Sequence, residues 1–399
     1  MNTILVVGCG ITGSVVGTML AKKGYKVMIV ERVAKIEDVG GALAIWPNGW
    51  KVLDTIGQAK IDNPWRHGVE YNSKGEQLVD WDQSYFKKKY GFPSSALRRS
   101  ELHSRLKQNA IDHGVEVLEG WKLSDIQEVD SGVVAVSEDG REVQAKFVIG
   151  CDGLHSATRK WVLAKKGISE PQPDFTGLVT IVGFSPTPAS IESSTVLGVY
   201  GDEKYFVTYK VDEKSWLWGI IEPGEPERES WRDIDDLEAQ KEKLLSEMVD
   251  WPEITKGLVG STMNLVRFGL YDRPELPPEH WYHGRCVLVG DAAHPTSPHL
   301  GQGANQSLED CWHLAQLLPD ADSQCDISEL KDAFQKYAEK RQPRTAELVK
   351  AARQGGKIRV VHGEEACRKR DGMVKRMYAD EEAMAVRVHN LYKEPFEMS

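Results

Sequence analysis

The chain of 399 residues is 41% hydrophobic and 28% charged, a balance typical of folded globular proteins that argues against extensive disorder. Its formal net charge of −10 lacks the basic excess of nucleic-acid-binding proteins and favours a small-molecule partner. The six cysteines form no close pair, so we expect no metal site, no disulfide framework and a reducing, cytoplasmic compartment. No stretch reaches the roughly 20 apolar residues that span a bilayer, so no membrane span is expected.

Residues 3–31 predict a strand, a tight turn, a helix and a second strand, in the segments "TILVVG", "CGITGSVVGTMLAKKG" and "YKVMIVER". This order is typical of a βαβ nucleotide-binding unit. Helices are predicted over 47–56 in "WPNGWKVLDTIG" and over 100–113, where a serine can cap the helix start. A strand in "REVQAKFVIGCDG" then ends in a turn at Cys151.

Between about 175 and 280 the pattern changes to alternating, aromatic-rich strands with one charged helix near 235–249. A buried strand and long helices follow. We therefore predict an α/β fold in which a Rossmann-like nucleotide-binding domain is interrupted by a sheet-based substrate domain. The predicted segments are 1–72, 96–174 and 281–352 for the first domain, 73–95 and 175–280 for the second, and 353–399 for a C-terminal helix and loose tail.

The turn between the first strand and the first helix carries the G-x-G-x-x-G pattern of Gly8, Gly10 and Gly13. Backbone amides and the positive end of the helix dipole can approach a pyrophosphate there, where side chains would block it. Glu31 ends the second strand and is placed to accept hydrogen bonds from a ribose, with Arg32 beside it as a further candidate contact.

Two further motifs follow in "CDGLHSATR" (151–159) and "GDAAHPTSPHLGQGANQSLED" (290–310). With the glycine turn they resemble, in the right order and over nearly the whole chain, the FAD-binding fingerprints of the class A flavoprotein monooxygenases, the family of para-hydroxybenzoate hydroxylase. The resemblance implies FAD as cofactor, with Asp152 supporting the pyrophosphate region, Asp291 bonded to the ribityl chain and Arg99 reaching the phosphates.

The third motif is also understandable from its residues. Gly301 and Gly303 let the backbone approach a planar ring, and a helix beginning near Ala304 points its positive end at that ring. A reduced flavin is anionic, so this dipole stabilises the reduced state. The neighbouring candidates for contact with the cofactor are Gln302 and Asn305.

The activity implied by the resemblance is hydroxylation of an electron-rich ring by a flavin hydroperoxide, formed from reduced flavin and O2. No second dinucleotide unit follows residue 31, so NAD(P)H is expected only as a transient co-substrate. Pro298 precedes the glycines where family members place a proline beside the oxygen-reacting face, and His299 either borders the substrate or faces solvent. His294 is interpreted as a residue that satisfies a local backbone contact.

Segments 39–57 ("VGGALAIWPNGWKVLDTIG") and 352–365 ("ARQGGKIRVVHGEE") are similar to bacterial FAD-dependent urate hydroxylases. This similarity implies that Ala44 contacts the flavin through its backbone and that Leu123 lies near the adenine. The urate enzymes have an arginine in the strand where Tyr205 stands here. We therefore predict a pocket without a fixed cation, in which urate is a poor substrate, with Lys204 on the opposite face of the strand.

The aromatic strands supply the candidates for the substrate pocket, namely Tyr205, Tyr209, Trp216 and Trp218. Of these, Tyr205 is also a candidate catalytic residue, together with the proline and histidine before the flavin-side glycines, because a phenolic substrate must be polarised. The segment "WLWGIIEP" (216–223) resembles a broken W-x-W-x-I-P box of flavin-dependent halogenases. Alternation along a strand places both tryptophans on one face, which fits sheet packing or a pocket wall.

The sequence thus predicts a single-component FAD-dependent monooxygenase that hydroxylates an aromatic or heteroaromatic small molecule with NAD(P)H and O2. One alternative is another reaction on the same fold, such as epoxidation, decarboxylative hydroxylation or dearomatisation. A second alternative is a flavin-bound redox sensor without catalysis. The substrate, the nicotinamide preference and the oligomeric state have no sequence signal that we can identify.

Overall fold

The computed structural model describes residues 3–34, 41–188, 190–226, 232–233, 236–321 and 327–396. Residues 39–40 of the urate-hydroxylase-like segment and 397–399 of the predicted tail lie outside the described residues. The helices of the described part are α1 (Ile11–Lys22), α2 (Pro47–Thr55), α3 (Phe86–Tyr90), α4 (Arg99–Asp112), α5 (Ala157–Ala164), α6 (Leu237–Glu247), α7 (Glu253–Gly260), α8 (Gly303–Leu317), α9 (Ile327–Arg359), α10 (Glu364–Ala379) and α11 (Glu381–Tyr392).

The strands fall into four sheets in the described part of the chain. They are β1 (Thr3–Val7), β2 (Lys26–Glu31), β3 (Ala42–Ile45), β4 (His67–Asn72), β5 (Gln77–Asp82), β6 (Ser95–Arg98), β7 (Glu116–Glu119), β8 (Leu123–Val129), β9 (Gly132–Ser137), β10 (Glu142–Ala145), β11 (Phe147–Gly150), β12 (Asp174–Pro186), β13 (Thr195–Tyr200), β14 (Tyr205–Lys210), β15 (Ser215–Pro223), β16 (Arg232–Asp233), β17 (Asn264–Asp272), β18 (Tyr282–His283) and β19 (Cys286–Leu288).

The nucleotide-binding sheet has the order β18–β19–β11–β1–β2–β7, and its central strands are parallel. Continuous apolar runs such as "ILVV" in β1 form these strands because both faces of a parallel sheet are covered. Helices α1 and α8 pack together beside it, and their apolar residues join the largest hydrophobic core. The ends of β1, β11 and β19 lie side by side, which brings the three predicted motifs to one edge.

The second large sheet has the order β16–β17–β12–β15–β14–β13–β4–β5 and is mostly antiparallel. Strand β4 joins it through parallel pairing with β13, in which Val69 lies opposite Leu197. The segment 67–72, predicted as part of the nucleotide-binding domain, therefore belongs to the second sheet. Pairing between strands so distant in sequence leaves no local pattern, which explains the misplaced boundary.

The C-terminal segment, predicted as a helix and a loose tail, is helical over most of its described length. Helix α9 runs for 33 residues, about 50 Å at 1.5 Å per residue, and continues seven residues beyond the predicted boundary at 352. Helices α10 and α11 then pack against the second sheet and against α2 and α3. Sparse apolar residues such as Val374 and Val388 are enough to anchor them, because each is almost fully buried.

The single strand predicted within 141–153 is in fact two strands, β10 and β11, which belong to different sheets. The helices expected over 47–56, 100–113 and 235–249 appear as α2, α4 and α6, while α7 was not predicted. Within the described chain, no helix combines the length and apolar character that crossing a membrane requires.

Candidate functional site

The first glycine turn is shaped by close backbone packing. Gly8 has φ +101°, a value that disfavours other residues, and a Cβ added to Gly13 would overlap the carbonyl oxygen of Gly8. Gly10 caps α1 without a side-chain hydrogen bond, and a Cβ added there would have no protein atom within 4 Å. The amides at this helix start therefore face open space, as binding of a pyrophosphate requires.

Glu31 fixes the end of β2 to this turn. Its carboxylate accepts one hydrogen bond from the backbone N–H of Cys9 (2.8 Å) and another from that of Val33 (3.0 Å). The side chain is only partly buried, so lone pairs remain for a ligand hydroxyl. Arg32 is exposed beside it. The contact of Glu31 with a ribose and the role of Arg32 stay predictions.

Asp152 lies next to the glycine turn but is engaged locally. It accepts hydrogen bonds from Ser156 Oγ (2.5 Å) and from the backbone N–H of Thr158 (3.0 Å), at the start of α5. Burial raises the pKa of Asp152, and these bonds oppose that increase. The geometry is that of a turn and helix cap, so its contact with the cofactor stays a prediction. Leu123, the predicted adenine neighbour, is buried in the main core.

Asp291 and Arg99 lie close enough for their charges to interact. Solvent reaches both side chains, yet protein atoms crowd the carboxylate and raise the pKa of Asp291, while the charges of His294 and Arg99 oppose this. Arg98 instead pairs with Asp212 at 2.8 Å. Of the two adjacent arginines, Arg99 is thus the one available to a ligand.

The flavin-side turn is held by one buried asparagine. Asn305 Oδ1 accepts from the Trp46 backbone N–H at 3.0 Å, and Nδ2 donates to the carbonyl oxygens of Ala44 (3.0 Å) and Gly301 (2.8 Å). Gly301 has φ +61°. Helix α8 begins at Gly303, one residue before the predicted start, and has no side-chain cap. Its free N–H groups therefore point toward this turn.

Two polar side chains complete this region. Gln302 is buried and its Nε2 has no hydrogen-bond partner among the described residues, although its Oε1 accepts from Asn48 Nδ2 at 3.1 Å. The side chain of His294 contacts the buried carboxylate of Asp310, with Nε2 2.5 Å from Oδ2, so the interpretation of His294 as a backbone-contacting residue is wrong. Ala304 lies in the first turn of α8, partly exposed.

A cavity of about 340 Å³ opens between this turn and the second sheet. Ala44, Pro298 and Gly301 line one wall, and strands β14 and β15 line another. Helix α11 closes a third side with mainly apolar side chains, among them Met384, Val388, Leu391 and Tyr392. A volume of this size, with apolar and aromatic walls, suits a small aromatic ligand.

The structure separates the four aromatic residues predicted to line this cavity. Tyr205 and Tyr209 do line it. Trp216 and Trp218 are fully buried on the other face of the sheet, in a core with α6 and α7, so their assignment to the pocket is wrong. Alternation along β15 was read correctly, but α6 and α7 cover the tryptophan face. Within 216–223, the halogenase-like box is thus sheet packing.

A buried polar cluster that the sequence did not reveal lies in the cavity wall. Glu70 accepts from the Tyr205 hydroxyl at 3.2 and 3.3 Å, and the Arg359 guanidinium carbon lies 4.6 Å from the centre of the same phenol ring. Arg359 Nη1 donates to the backbone carbonyl of His299 at 2.6 Å. The cluster joins β4, β14, α9 and the flavin-side turn.

The prediction of a pocket without a fixed cation is wrong, because Arg359 lines the cavity. It reaches the cavity from the end of α9 rather than from the strand in which the urate enzymes have an arginine. Lys204 lies outside the cavity lining, as predicted for the opposite face, where it pairs with Glu222 and with Glu247 at 3.0 Å. The argument against urate as a substrate therefore loses its premise.

Burial away from water is the largest influence on the pKa values of Glu70 and His299. Burial raises the pKa of Glu70 to about 7, although Arg359 and the Tyr205 hydroxyl oppose the increase. Burial lowers the pKa of His299 to about 3, so its imidazole is neutral at physiological pH. Its Nδ1 is buried without a hydrogen-bond partner in the described chain. The predicted alternative of a solvent-facing His299 is wrong, since only 6% of it is exposed.

Two glycines leave room for this cluster and were its only sequence signal. A Cβ on Gly356 would overlap the His299 imidazole, so the Gly355–Gly356 pair inside α9 permits the helix to approach the turn. A Cβ on Gly198 would overlap the Glu70 carboxylate and the Tyr205 hydroxyl. Both positions therefore require glycine for close approach.

We predict that Glu70→Gln stabilises the protein at high pH. The folded-state pKa of Glu70, about 7 against an ordinary 4.5, means that folding binds a proton between these values, so stability decreases as pH rises from 4.5 to 7. This decrease in the free energy of unfolding amounts to at most about 3 kcal/mol. The glutamine variant does not undergo it, because its side chain does not ionise. Urea unfolding should show a gain at pH 8 that is several times larger than the gain at pH 5. An equal gain at both pH values would contradict the raised pKa.

Comparison with known protein families assigns the chain to a family. The family described as "FAD binding domain" matches residues 1–352. The chain belongs to this family. Fit of the cofactor is supported by the structure, because the turn at Gly10 leaves an open approach at a helix start, and α8 offers a second uncapped start at the flavin-side turn.

Two proteins that are similar in sequence to this FAD-binding chain bear the names of enzymes that act on aromatic rings. It is 27% identical over 364 residues to 3-hydroxybenzoate 6-hydroxylase of Klebsiella oxytoca, covering 89% of this chain and 88% of the relative. It is 28% identical over 331 residues to 6-hydroxynicotinate 3-monooxygenase of Pseudomonas fluorescens, covering 79% and 82%. The structure of Klebsiella pneumoniae HpxO with FAD and uric acid matches with TM-score 0.84 at 22% identity, covering 97% of each chain.

These comparisons confirm the predicted family, the α/β fold class and FAD as the cofactor. They also confirm the predicted class of enzyme, since the relatives bear the names of hydroxylases and monooxygenases. The roles of the individual site residues stay predictions. In the structure these residues lie at the flavin-side turn, at the glycine turn before α1 or around the cavity.

Proposed function

We propose that this chain is a single-component FAD-dependent monooxygenase that hydroxylates an aromatic or heteroaromatic small molecule, using NAD(P)H and O2. The observation that carries the proposal is the cavity of about 340 Å³, which has an aromatic and apolar lining and ends at the flavin-side turn. A planar substrate in this cavity would lie against the position that the third motif assigns to the flavin ring.

The chain offers a cradle for the whole length of FAD. Gly10 and the start of α1 would receive the pyrophosphate, Glu31 the adenosine ribose, and Asp291 the ribityl chain. Ala44 and Gly301, tied together by Asn305, would lie against the ring. When bound, FAD supplies the reduction of O2 by electrons from NAD(P)H and the transfer of one oxygen atom to the substrate.

The cavity residues would bind and orient the substrate and exclude water. Pro298 stiffens the backbone at the cavity end and has no N–H that could donate a proton there. His299, kept neutral by burial, presents an unpartnered Nδ1. Tyr205 and Tyr209 border the substrate position from the sheet. Helix α11 shields the cavity from solvent with apolar side chains, which favours coupling of oxygen activation to product formation.

The test is an assay of FAD-loaded protein with NADH or NADPH and a panel of phenols, hydroxybenzoates, hydroxypyridines and urate. We expect a substrate that accelerates NAD(P)H oxidation at least about tenfold and gives a product heavier by one oxygen atom. Released hydrogen peroxide reports uncoupled turnover. In Tyr205→Phe, FAD content should match the wild type while the fraction of peroxide increases, because the substrate loses a polar contact.

Several outcomes would contradict the proposal. A product mass that shows loss of CO2, epoxide formation or loss of aromaticity would assign another reaction to the same cavity. A flavin that is reduced by NAD(P)H but never turns over faster with any ring compound would favour a redox sensor. Recovery of FMN instead of FAD would remove the basis of the assignment.

A further inference from the structure

The cavity contains two opposite charges that contact one phenol side chain. The Glu70 carboxylate lies 3.2 and 3.3 Å from the Tyr205 hydroxyl oxygen, and the Arg359 guanidinium stacks 4.6 Å from the centre of that ring. All three residues line the cavity. The two charges thus border a single space, one beside the hydroxyl and the other over the ring.

Both charges retain unused hydrogen-bonding capacity. Among the described residues, Tyr205 is the one hydrogen-bond donor to Glu70, although a carboxylate can accept about four hydrogen bonds. Arg359 donates Nη1 to the carbonyl of His299, and in the described part of the chain its Nη2 has no hydrogen-bond acceptor. Placing unsatisfied charged groups in an apolar wall costs free energy, which a ligand with complementary groups would offset.

The elements around Glu70 contribute few other ionisable groups. Arg359 from α9 is the cation that faces it, and the phenols of Tyr200, Tyr205 and Tyr378 come from β13, β14 and α10. Burial raises the pKa of each of these phenols, so they are neutral at physiological pH. The Glu70 carboxylate is therefore the group among them that changes charge near pH 7.

We propose that Glu70 and Arg359 together select the substrate: a ring on which a proton donor, a phenol O–H or lactam N–H, adjoins an anionic or carbonyl oxygen. Glu70 accepts the hydrogen bond of the donor, and Arg359 binds the neighbouring oxygen. This inference rests on the proposed function for its assumption that the cavity receives an aromatic substrate.

The pairing also explains which ligands would be rejected. A ring carboxylate without a donor satisfies Arg359 but brings a like charge toward Glu70, and repulsion at short range in an apolar cavity is strong. A phenol without the carboxylate leaves the Arg359 guanidinium without its ligand. A proton donor that lies between the ligand carboxylate and the Glu70 carboxylate offsets their repulsion. The adjoining ligand oxygen then binds the Arg359 guanidinium, which would otherwise lack a ligand.

The experiment measures binding to FAD-loaded, oxidised protein by calorimetry, without NAD(P)H, using 2-hydroxybenzoate, benzoate and phenol. We expect wild-type protein to bind 2-hydroxybenzoate at least about tenfold more tightly than either other probe. The preference over benzoate should widen from pH 6 to pH 8, as Glu70 ionises. Glu70→Gln should reduce that preference to less than about threefold and remove its pH dependence.

Arg359→Gln should remove the preference over phenol instead, and Arg359→Lys should retain part of it because the charge remains without the planar fork. Glu76→Gln, which changes an exposed carboxylate on the β4–β5 turn, is the matched control and should keep both preferences. FAD content verifies that each variant is folded. Arg387, exposed on the α11 side of the cavity, is the competing cation.

A wild-type protein without either preference would overturn the inference, as would a carboxylate preference lost in Arg387→Gln rather than in Arg359→Gln. Equal preferences in Glu70→Gln and wild type would also overturn it. These results are separate from turnover. Tight binding with the expected pattern but no hydroxylation would contradict only the proposed function, and hydroxylation of rings without the pattern would contradict only this inference.

Discussion

A Gly13→Ala variant is expected to lose FAD and much of its folding stability. The added methyl group would overlap the carbonyl oxygen of Gly8 and would lie 3.3 Å from Val6 Cγ1, within the tightest part of the β1–α1 unit. Neither backbone can move without shifting α1 in the main core. We expect a decrease of about 3 kcal/mol or more in the free energy of unfolding, at the upper end for overpacked sites.

Gly10→Ala is the matched control, because its methyl group would meet no protein atom within 4 Å. Gly10 has φ −76°, which any residue can adopt, so stability should fall by no more than about 1 kcal/mol. Its methyl group would nevertheless occupy the approach of the pyrophosphate, and FAD affinity should decrease. Thermal unfolding of flavin-free protein and FAD titration measure the two effects separately.

Different results would contradict different parts of this account. Normal stability of Gly13→Ala would show that the turn is looser than the structure indicates. Unchanged FAD affinity of Gly10→Ala would show that the pyrophosphate does not approach the start of α1 at this position. The comparison therefore separates a glycine needed for packing from a glycine needed for the ligand.

The sequence predicted the features that depend on neighbouring residues. The β1–α1 turn, the start of α2 at Pro47 and the three motifs carry their signals within a few positions, since turn geometry and periodicity are local properties. Helix α4 was also predicted, but it begins at Arg99 without a side-chain cap, so the predicted serine cap is wrong. The order of the motifs along one dinucleotide was accessible for the same reason. The class of fold follows from such local signals, whereas FAD as the cofactor was implied by the resemblance of the three motifs to a known family.

The substrate side of the site could not be predicted in the same way. Glu70 and Arg359 meet because β4 pairs with β13 and because α9 extends to the flavin-side turn, and both relations join distant segments. Trp216 and Trp218 were placed on one face correctly, but the identity of that face depends on where α6 and α7 pack. Periodicity shows which residues share one face of a strand, but it does not show which element packs against that face.

The buried ion cluster beneath the flavin-side turn has the second large expected effect. Arg341 on α9 donates to Asp310 Oδ1 at 2.6 Å and to Glu309 Oε2 at 2.7 Å, and all three side chains are at most 1% exposed. Asp310 also accepts from the Gly290 backbone N–H at 3.0 Å and pairs with His294. The cluster therefore links α9 to α8 and to the segment that carries Asp291.

Arg341→Met should leave two buried carboxylates with too little positive charge. Removing one partner of a buried ion pair typically costs about 3 to 5 kcal/mol, which we expect here in the free energy of unfolding at pH 7. Lys336→Met is the control, because Lys336 makes an exposed pair with Asp332 on the same helix, worth at most about 1 kcal/mol. Equal urea midpoints for both variants would contradict the assigned role of Arg341.

The same cluster predicts how the loss depends on pH. Although burial raises them, the charges of Arg341 and its neighbours lower the pKa values of Glu309 and Asp310 to about 2, from ordinary values of 4.5 and 3.8. Their stabilising contribution is therefore complete above about pH 5 and disappears as the pH falls toward 2. The difference in stability between wild type and Arg341→Met should be largest at pH 7 and should shrink steadily in unfolding curves at pH 4 and pH 3. A difference that stays constant on acidification would show that Arg341 acts through packing alone, since lost packing does not depend on the protonation of these carboxylates. A difference that grows would contradict the lowered pKa values.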